Sequence, residues 1–230
     1  MYRYEMHLHT SACSACAPDS VEQMVYAAKE AGYAGFVITN HFYNGNSAVD
    51  RDVSWAEFVE AYARDWRIGK TLGEQLGIEV FFGVEEEFGG GKEILVYGMT
   101  PEQLAAVPEW KSWGLEEMER YCHSCGAFLT NAHPFRRASY ILNPDAEPDI
   151  TKFDAIEVYN RGNTPEANEK ALAFAKRTAM PMASGGDVHR ACDFGTSGIA
   201  FFDRITTNEE LVAALKSGRW TRIVEGVLAE

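Results

Sequence analysis

The sequence contains no apolar run of the length that a membrane-spanning helix requires, which is about 18 uncharged residues. Its first residues, Met1 to His9, also lack the basic-then-apolar order of a secretory signal peptide. These two absences disfavour membrane and secreted proteins. We therefore expect a cytoplasmic protein that does not act at a membrane.

Positive charge is scarce relative to negative charge. The 230 residues include 21 Lys and Arg against 34 Asp and Glu, which gives a formal net charge of -13. A charge of this sign repels a phosphate backbone, so long nucleic acids are disfavoured as partners. A small anionic substrate stays compatible, because a few local cations or bound metal ions can reverse the field inside a pocket.

Cysteines are few and odd in number. With five of them and no secretory signal, a full disulfide framework is disfavoured and reduced thiols are expected. Two Cys-x-x-Cys pairs occur, Cys13 with Cys16 and Cys122 with Cys125, but about a hundred residues separate them, far more than in zinc ribbons. Cys122 and Cys125 also lie in a helical pattern, where such a pair commonly faces the core. A four-thiolate zinc site is the weaker interpretation.

Short apolar, β-branched or aromatic runs alternate with helical patterns along the whole chain. This order predicts repeated βα units around a parallel sheet, in a single domain of residues 1–230. The expected strands are Tyr2 to Leu8, Gly35 to Thr39, Glu79 to Val84, Ile94 to Tyr97, Ala127 to Thr130, Ala155 to Tyr159, Pro181 to Ser184 and Gly198 to Phe202.

Helix start and stop signals lie between these runs. Ser20 and Ser54 are expected N-caps, and Thr164-Pro165 places proline in a first helical turn. The predicted helices are Ser20 to Ala31, Trp55 to Leu76, Pro165 to Arg177 and Thr207 to Lys216. Gly89-Gly90-Gly91 indicates a tight turn between two strands rather than a domain boundary.

Residues able to bind metal follow or end the predicted strands. His7 and His9 close the first strand, and the His-x-His spacing places both imidazoles on one side of an extended chain, ready to hold a divalent ion. Further strand ends carry the other candidates, His41, Glu85, His133, Asp187 and His189. In α/β barrels the active site forms at the carboxyl ends of the strands, so these residues are expected to converge.

One histidine does not share this placement. His123 falls inside a helical pattern and is interpreted as structural. The remaining mixture of imidazoles and carboxylates suits zinc, manganese or iron and does not select among them.

At these residues the sequence resembles the PHP (polymerase and histidinol phosphatase) family. The resemblance spans nearly the whole chain and rests on five ordered motifs, His7-Leu8-His9-Thr10, Ile38-Thr39-Asn40-His41, Gly83-Val84-Glu85, Ala132-His133-Pro134 and Gly186-Asp187-Val188-His189. It implies a distorted seven-stranded β/α barrel, two or three divalent transition-metal ions and hydrolysis of a phosphate ester.

The resemblance also implies a distribution of ligands. His7, His9, Glu85 and Asp187 would hold one ion. His133 would hold a second together with Glu85, which bridges the two. A third ion would fall to His41 and His189.

The chain departs from the family pattern at two places. Where members of the family carry another histidine or aspartate shortly after His-x-His, this chain offers four residues, Cys13, Ser14, Cys16 and Asp19, among which the sequence does not choose. Where many members carry a histidine before the next strand, it has Glu93, which is either an oxygen ligand or a solvated charge. Glu87 is likewise either a partner of the ligands or a solvent-facing side chain.

Arginines next to the strand ends are candidates for binding phosphate, since guanidinium matches phosphate oxygens in bidentate geometry. They are Arg136, Arg137, Arg161 and Arg190, and Glu157 and Asn160 are weaker polar candidates. We expect a metal-activated water to attack a small phosphate ester, with Arg136 or Arg190 stabilising the developing charge and Asp187 or His189 moving a proton.

Two alternatives remain at this point. Metal-bearing barrels with His-x-His also include C–N hydrolases, which release ammonia or an amine instead of phosphate. A noncatalytic metal-binding domain of the same fold is the other, although the number of expected ligands speaks against it.

Overall fold

A computed structural model describes residues 1–229. The strands are β1 (Tyr2–Glu5), β2 (Gly35–Ile38), β3 (Glu79–Gly89), β4 (Lys92–Tyr97), β5 (Phe128–Asn131), β6 (Ala155–Asn160), β7 (Met182–Gly185), β8 (Ser197–Phe201), β9 (Trp220–Val224) and β10 (Val227–Ala229). The helices are α1 (Val21–Glu30), α2 (Trp55–Leu76), α3 (Pro101–Ala105), α4 (Leu115–Ser124), α5 (Pro165–Thr178) and α6 (Asn208–Lys216), with short 3-10 turns at Pro108–Ser112 and Ala191–Asp193. Every predicted strand and helix is present, but two strand ends were predicted wrongly: β1 ends at Glu5 and not at Leu8, and β3 continues to Gly89, so Glu85 lies within the strand.

The strands form one sheet in the order β10-β9-β8-β1-β2-β3-β4-β5-β6-β7. The sheet curls so that the segment after β7 meets the segment after β1. There the Val188 N–H donates to the His7 carbonyl (2.9 Å) and the His9 N–H donates to the Val188 carbonyl (2.8 Å). Strands β1 to β7 thus complete a distorted seven-membered α/β barrel, which confirms the predicted fold.

The sheet is less regular than a series of parallel βα units. Strand β4 is antiparallel to both β3 and β5, and β8 to β10 form an antiparallel extension beside β1. The three glycines Gly89, Gly90 and Gly91 all have positive φ, between 64° and 129°, and turn the chain from β3 directly into β4. A turn this short joins antiparallel strands, whereas a parallel pair needs a long crossover.

The helix caps follow the sequence signals. Ser20 and Ser54 each accept a backbone hydrogen bond at the start of α1 and α2, and both form capping boxes. Thr164 caps α5, with Pro165 in its first turn. Among residues 1–229, no helix combines the length and the apolar character needed to cross a membrane.

Apolar side chains fill the barrel below the carboxyl ends of its strands. Val37, Phe81 and Leu95 lie in one buried cluster with residues from the other strands. On the outer face, Phe36 and Ile38 pack instead into the cluster that contains α1. Burial on both faces is typical of a sheet covered by helices, and it leaves the carboxyl ends of the strands as the place for polar groups.

Candidate metal centre

The residues predicted as metal ligands meet at the carboxyl end of the barrel. They come from β3, β4 and the segments that follow β1, β2, β5 and β7. Their ligand atoms form four overlapping groups of three, each within 4.8 Å: His9, His41 and His189; His7, His9 and Glu85; His7, His133 and Asp187; and His41, Glu85 and Glu93.

Glu85 lies at the middle of the centre. Its Oε1 is 3.0 Å from His7 Nε2 and 3.0 Å from His133 Nε2. Its Oε2 is 3.0 Å from His41 Nδ1 and 3.3 Å from His9 Nε2. One fully buried carboxylate therefore contacts four imidazoles, in the position that a bridging ligand would occupy.

Asp187 closes the centre on the β7 side. Its Oδ1 lies 3.1 Å from His9 Nε2 and 3.5 Å from His7 Nε2. Its Oδ2 accepts a hydrogen bond from Arg136. Asp187 and His133 both have left-handed backbone, with φ of 51° and 27°. Such conformations cost about 1–3 kcal/mol each and cluster at functional sites.

Glu93 belongs to the cluster as well. Its Oε1 lies 3.2 Å from His41 Nδ1, and its Oε2 lies 3.4 Å from His133 Nε2. The residue is only 7% exposed, so its interpretation as a solvated charge is wrong. The register of β3 against β4 pairs Glu85 with Leu95 and Glu87 with Glu93, which brings Glu93 to the same face as Glu85.

The donor atoms suit divalent metal ions. His7 Nε2, His9 Nε2, His41 Nδ1 and Glu85 Oε2 are buried, converge on one another, and have no hydrogen-bond partner. A buried polar atom without a partner costs about 1–3 kcal/mol, so native structures rarely leave several together. Imidazole nitrogens and carboxylate oxygens are ligands of zinc, manganese and iron, and the overlap between the groups fits more than one ion.

The imidazoles and carboxylates of the centre are strongly coupled electrostatically. Burial opposes charge on His7 and His41, but Glu85 and the other acidic neighbours together outweigh it and raise the pKa of both. In return, these imidazoles hold the pKa of Glu85 well below its usual range in spite of burial. Burial, together with the adjacent His41, lowers the pKa of His9 to about 3. An ionised carboxylate and a neutral imidazole are the forms that bind metal, and metal would displace the protons of His7 and His41.

Hydrogen bonds behind the ligands set their orientation. His7 Nδ1 donates to Glu157 Oε1 (3.0 Å), and Glu157 Oε2 accepts from the His133 N–H (2.8 Å) and from Asn160 Nδ2 (2.9 Å). With Nδ1 donating, His7 presents the lone pair of Nε2 to the centre. Glu157 and Asn160, the weaker candidates in the sequence, thus support the ligands from outside the cluster.

His9 is oriented in the same manner by a hydroxyl group. Its Nδ1 lies 3.0 Å from Ser14 Oγ, and that hydroxyl donates to Asn40 Oδ1 (2.9 Å). The hydroxyl proton is therefore committed to Asn40, and His9 Nδ1 is the donor. Ser14, one of the four residues left open after His-x-His, positions a ligand.

Two others of those four residues point away from the centre. Cys13 Sγ is buried and donates to the Tyr62 carbonyl (3.3 Å), while Asp19 Oδ2 accepts from the Ala191 N–H (2.7 Å). Cys122, of the second Cys-x-x-Cys pair, contacts a methionine sulfur in the core. The two pairs therefore do not assemble a thiolate site.

Of the four residues after His-x-His, Cys16 is the one whose side chain reaches the centre without orienting another ligand. Its Sγ lies 3.1 Å from His189 Nε2. Partial burial opposes ionisation, but hydrogen bonds with His189 and His41 lower the pKa of the Cys16 thiol to about 6. A substantial thiolate fraction is therefore expected at neutral pH.

The predicted phosphate-binding arginines lie around a pocket of about 670 Å³ that opens onto the centre. Arg136 is the innermost and donates to Asn163 Oδ1 (2.9 Å) and Asn160 Oδ1 (3.1 Å) as well as to Asp187. Arg137 and Arg161 line the wall and are paired with Asp145 and Asp193, both at 2.7 Å. Arg190 is exposed at the rim, so the structure does not bring it into contact with the ligands.

The two remaining predicted residues have structural partners. Glu87 accepts a hydrogen bond from the Gly91 N–H in the turn between β3 and β4 (3.0 Å). His123 lies in α4 and pairs with Glu119 (2.9 Å) and Asp154 (3.0 Å). It belongs to none of the four groups of possible ligand atoms.

Sequence reasoning missed Glu5. This fully buried carboxylate accepts hydrogen bonds from the His7 N–H (3.0 Å), the Gly186 N–H (2.6 Å) and Ser197 Oγ (2.6 Å). It thereby ties the end of β1, which leads into His-x-His, to the segment that carries Asp187. A signal was available, because an acidic residue two positions before His7 shares its face of the strand.

Comparisons with known proteins agree with this fold. A family model described as PHP-associated matches residues 165–220. No curated protein is significantly similar to the chain in sequence.

Three solved structures share the architecture. One is a two-domain Bacteroides vulgatus protein containing a predicted PHP-like metal-dependent phosphoesterase (TM-score 0.72, 17% identity); the alignment covers 99% of this chain and 66% of that one. Another is from Bifidobacterium adolescentis, with a provisional assignment as a metal-dependent phosphoesterase (TM-score 0.59, 15% identity, covering 93% and 96%). The third is an amidohydrolase from Chromobacterium violaceum with bound sulfate and no metal (TM-score 0.51, 16% identity, covering 81% and 87%).

At identities of 15–17%, these structures show a shared fold and nothing more. This chain spans about two thirds of the two-domain protein. The PHP-associated segment adds a match in sequence. Together they agree with the resemblance that the five motifs carry: the chain has the distorted α/β barrel of PHP-like structures, and residues 165–220 match the PHP-associated model.

Proposed function

We propose that this protein is a metal-dependent phosphoesterase that hydrolyses a small phosphate ester at a centre of two or three divalent ions, of zinc, manganese or iron. The observation that carries the proposal is the Glu85 carboxylate in contact with four imidazoles, three of which present buried nitrogens without hydrogen-bond partners. This arrangement fits a multinuclear ligand set and has no evident structural use.

The pocket beside the centre favours a phosphorylated substrate. Four arginines line it, although the chain as a whole carries a net charge of -13. Arg136 joins the pocket to the ligand cluster through Asp187. Guanidinium groups recognise phosphate oxygens, and the restricted size of the cationic surface favours a small ester over a long nucleic acid.

Divalent ions, when bound, would lower the pKa of a water and offset charge on the phosphoryl oxygens. The side chains of the protein supply the remaining chemistry. Arg136 and Arg190 offer donors to the phosphoryl and leaving oxygens. Burial raises the pKa of Asp187, but the effects of His7, Arg136 and His9 together outweigh it, so the carboxylate stays ionised and is available as an anionic ligand or hydrogen-bond acceptor. His189 donates from Nδ1 to the Asp187 carbonyl (2.7 Å), so its Nε2, which faces the Cys16 thiol, carries the lone pair that can take a metal or a proton.

A C–N hydrolase is the second candidate, because the amidohydrolase from Chromobacterium violaceum has the same fold. The arginine-lined pocket favours phosphate over a neutral amide. A noncatalytic domain is the third, and the completeness of the ligand set argues against it.

Product analysis separates the three candidates. Metal-free protein would be supplied with zinc, manganese or iron and assayed for phosphate and ammonia release from phosphomonoesters, phosphodiesters and amides, with bound metal measured in parallel. We expect phosphate release in wild type and in His123→Ala, which changes a histidine outside the centre, and its loss in Asp187→Ala. Ammonia release would favour the C–N hydrolase, and full metal binding without turnover would favour the noncatalytic domain.

A further inference from the structure

Cys16 lies where the ligand cluster opens into the pocket. Its Sγ is 3.1 Å from His189 Nε2, and Cys16 and His41 line one pocket together. Both neighbours belong to one group of possible ligand atoms, which His9 completes. The thiol therefore lies at the edge of a group of three imidazoles whose ligand atoms are within 4.8 Å of one another.

Two imidazoles of this group, His9 and His189, donate hydrogen bonds from Nδ1, which leaves Nε2 with the lone pair that can bind a cation. His9 is fully buried, donates from Nδ1 to Ser14, and has an Nε2 without any hydrogen-bond partner. His189 donates from Nδ1 to a backbone carbonyl, so its Nε2 lone pair faces the Cys16 thiol.

The loop that carries Cys16 is held in place by backbone hydrogen bonds. The Ala15 N–H donates to the Asn46 carbonyl (3.0 Å), and the Ala17 N–H donates to the Ser14 carbonyl (3.1 Å). The residues on both sides of Cys16 are thus anchored, one of them to the segment that follows His41. The position of the thiol is built into the fold and does not depend on a freely moving loop.

Donor types differ sharply across the centre. The group of His41, Glu85 and Glu93 contains two carboxylates. The group of His9, His41 and His189 contains none, and Cys16 is next to it. Carboxylate-rich sites favour harder ions such as manganese, whereas imidazole with thiolate favours zinc.

From this contrast we propose that Cys16 is a thiolate ligand of a soft, zinc-selective site with His41 and His189, next to a harder site at Glu85 and Glu93. The proposal rests on the metal centre of the proposed function but not on its catalytic activity. Of the four residues after His-x-His among which the sequence does not choose, the proposal assigns Cys16 as the ligand. It also predicts two kinds of metal site within one centre.

Cobalt substitution tests the thiolate directly, since Co²⁺ bound to a thiolate has a near-ultraviolet charge-transfer band that cobalt bound to nitrogen and oxygen lacks. We expect metal-free wild type to develop this band on Co²⁺ addition and to lose it when zinc, but not manganese, is added. Cys16→Ser should lack the band and retain about one equivalent less of tightly bound zinc. Cys192→Ser, at another exposed cysteine, is the matched control and should behave as wild type.

A band that persists in Cys16→Ser, or cobalt-loaded wild type without a band, would overturn the thiolate ligand while leaving the metal centre intact. Wild type that binds no cobalt would overturn both. Full retention of the band in a protein without phosphoesterase turnover would refute the proposed activity and support the thiolate site.

Discussion

Metal should control the stability of this protein to an extent that can be estimated from the structure. Four buried ligand atoms have no hydrogen-bond partner, His7 Nε2, His9 Nε2, His41 Nδ1 and Glu85 Oε2. At about 1–3 kcal/mol for each such atom, partners for all four would contribute at most about 4–12 kcal/mol. Metal must also displace the protons that Glu85 stabilises on His7 and His41, so the net gain lies toward the lower end of this range.

The lower end of that range already gives a measurable effect. About 4 kcal/mol corresponds to free metal at about 1,000 times the dissociation constant. For a domain of this size, each kcal/mol moves Tm by about 2–4 °C, so we expect a rise of about 8–16 °C on saturation with zinc or manganese. Glu85→Gln keeps the shape of the side chain but removes the charge at the centre of four imidazoles, and should reduce the rise to about 3 °C or less.

Differential scanning calorimetry of chelator-treated and metal-saturated protein gives the two values of Tm. Glu87→Gln is the matched control, because Glu87 lies two residues further along β3 and contacts the turn at Gly91. It should show the full rise. A rise of equal size in wild type and Glu85→Gln, or no rise in wild type, would refute the assignment of these atoms as metal ligands.

Three further substitutions test other parts of the account. Glu157→Gln weakens the carboxylate behind His7 and should lower metal affinity about 10- to 100-fold in chelator competition; unchanged affinity would contradict this role. Gly185→Ala places a Cβ against the Glu157 carboxylate and 2.6 Å from His7 Cβ, so metal affinity should fall and denaturant titration should show a loss of about 1–3 kcal/mol. Burial raises the pKa of Glu86 from 4.5 to about 8 despite hydrogen bonds that lower it, so the folded chain binds this proton more tightly and wild-type stability should fall as pH rises from about 4.5 to about 8. Glu86→Gln should flatten that decline, and an unaltered pH profile of Tm would argue against it.

The fold and most of the centre could be predicted because the signals are local. Apolar runs, N-cap serines and the glycine turn each act over a few residues, and polar residues at the ends of strands are carried to one edge by barrel geometry. His7, His41 and Asp187 needed no knowledge of long-range contacts beyond that rule.

Other features depend on register or on the path of a loop, which the sequence does not encode locally. Glu93 enters the centre because β4 runs antiparallel to β3. Cys13 and Cys16 are three residues apart, yet one is buried against α2 and the other faces His189. Arg190 follows a ligand directly in sequence and still ends exposed at the rim of the pocket.

The most direct test of the central claim is a titration of metal-free protein with zinc or manganese while phosphate release is recorded. The account predicts that turnover of a small phosphate ester appears with the metal and stops increasing at two or three equivalents per chain, while Asp187→Asn stays inactive throughout. Full occupancy by zinc, manganese or iron without phosphate release from any monoester or diester would contradict it.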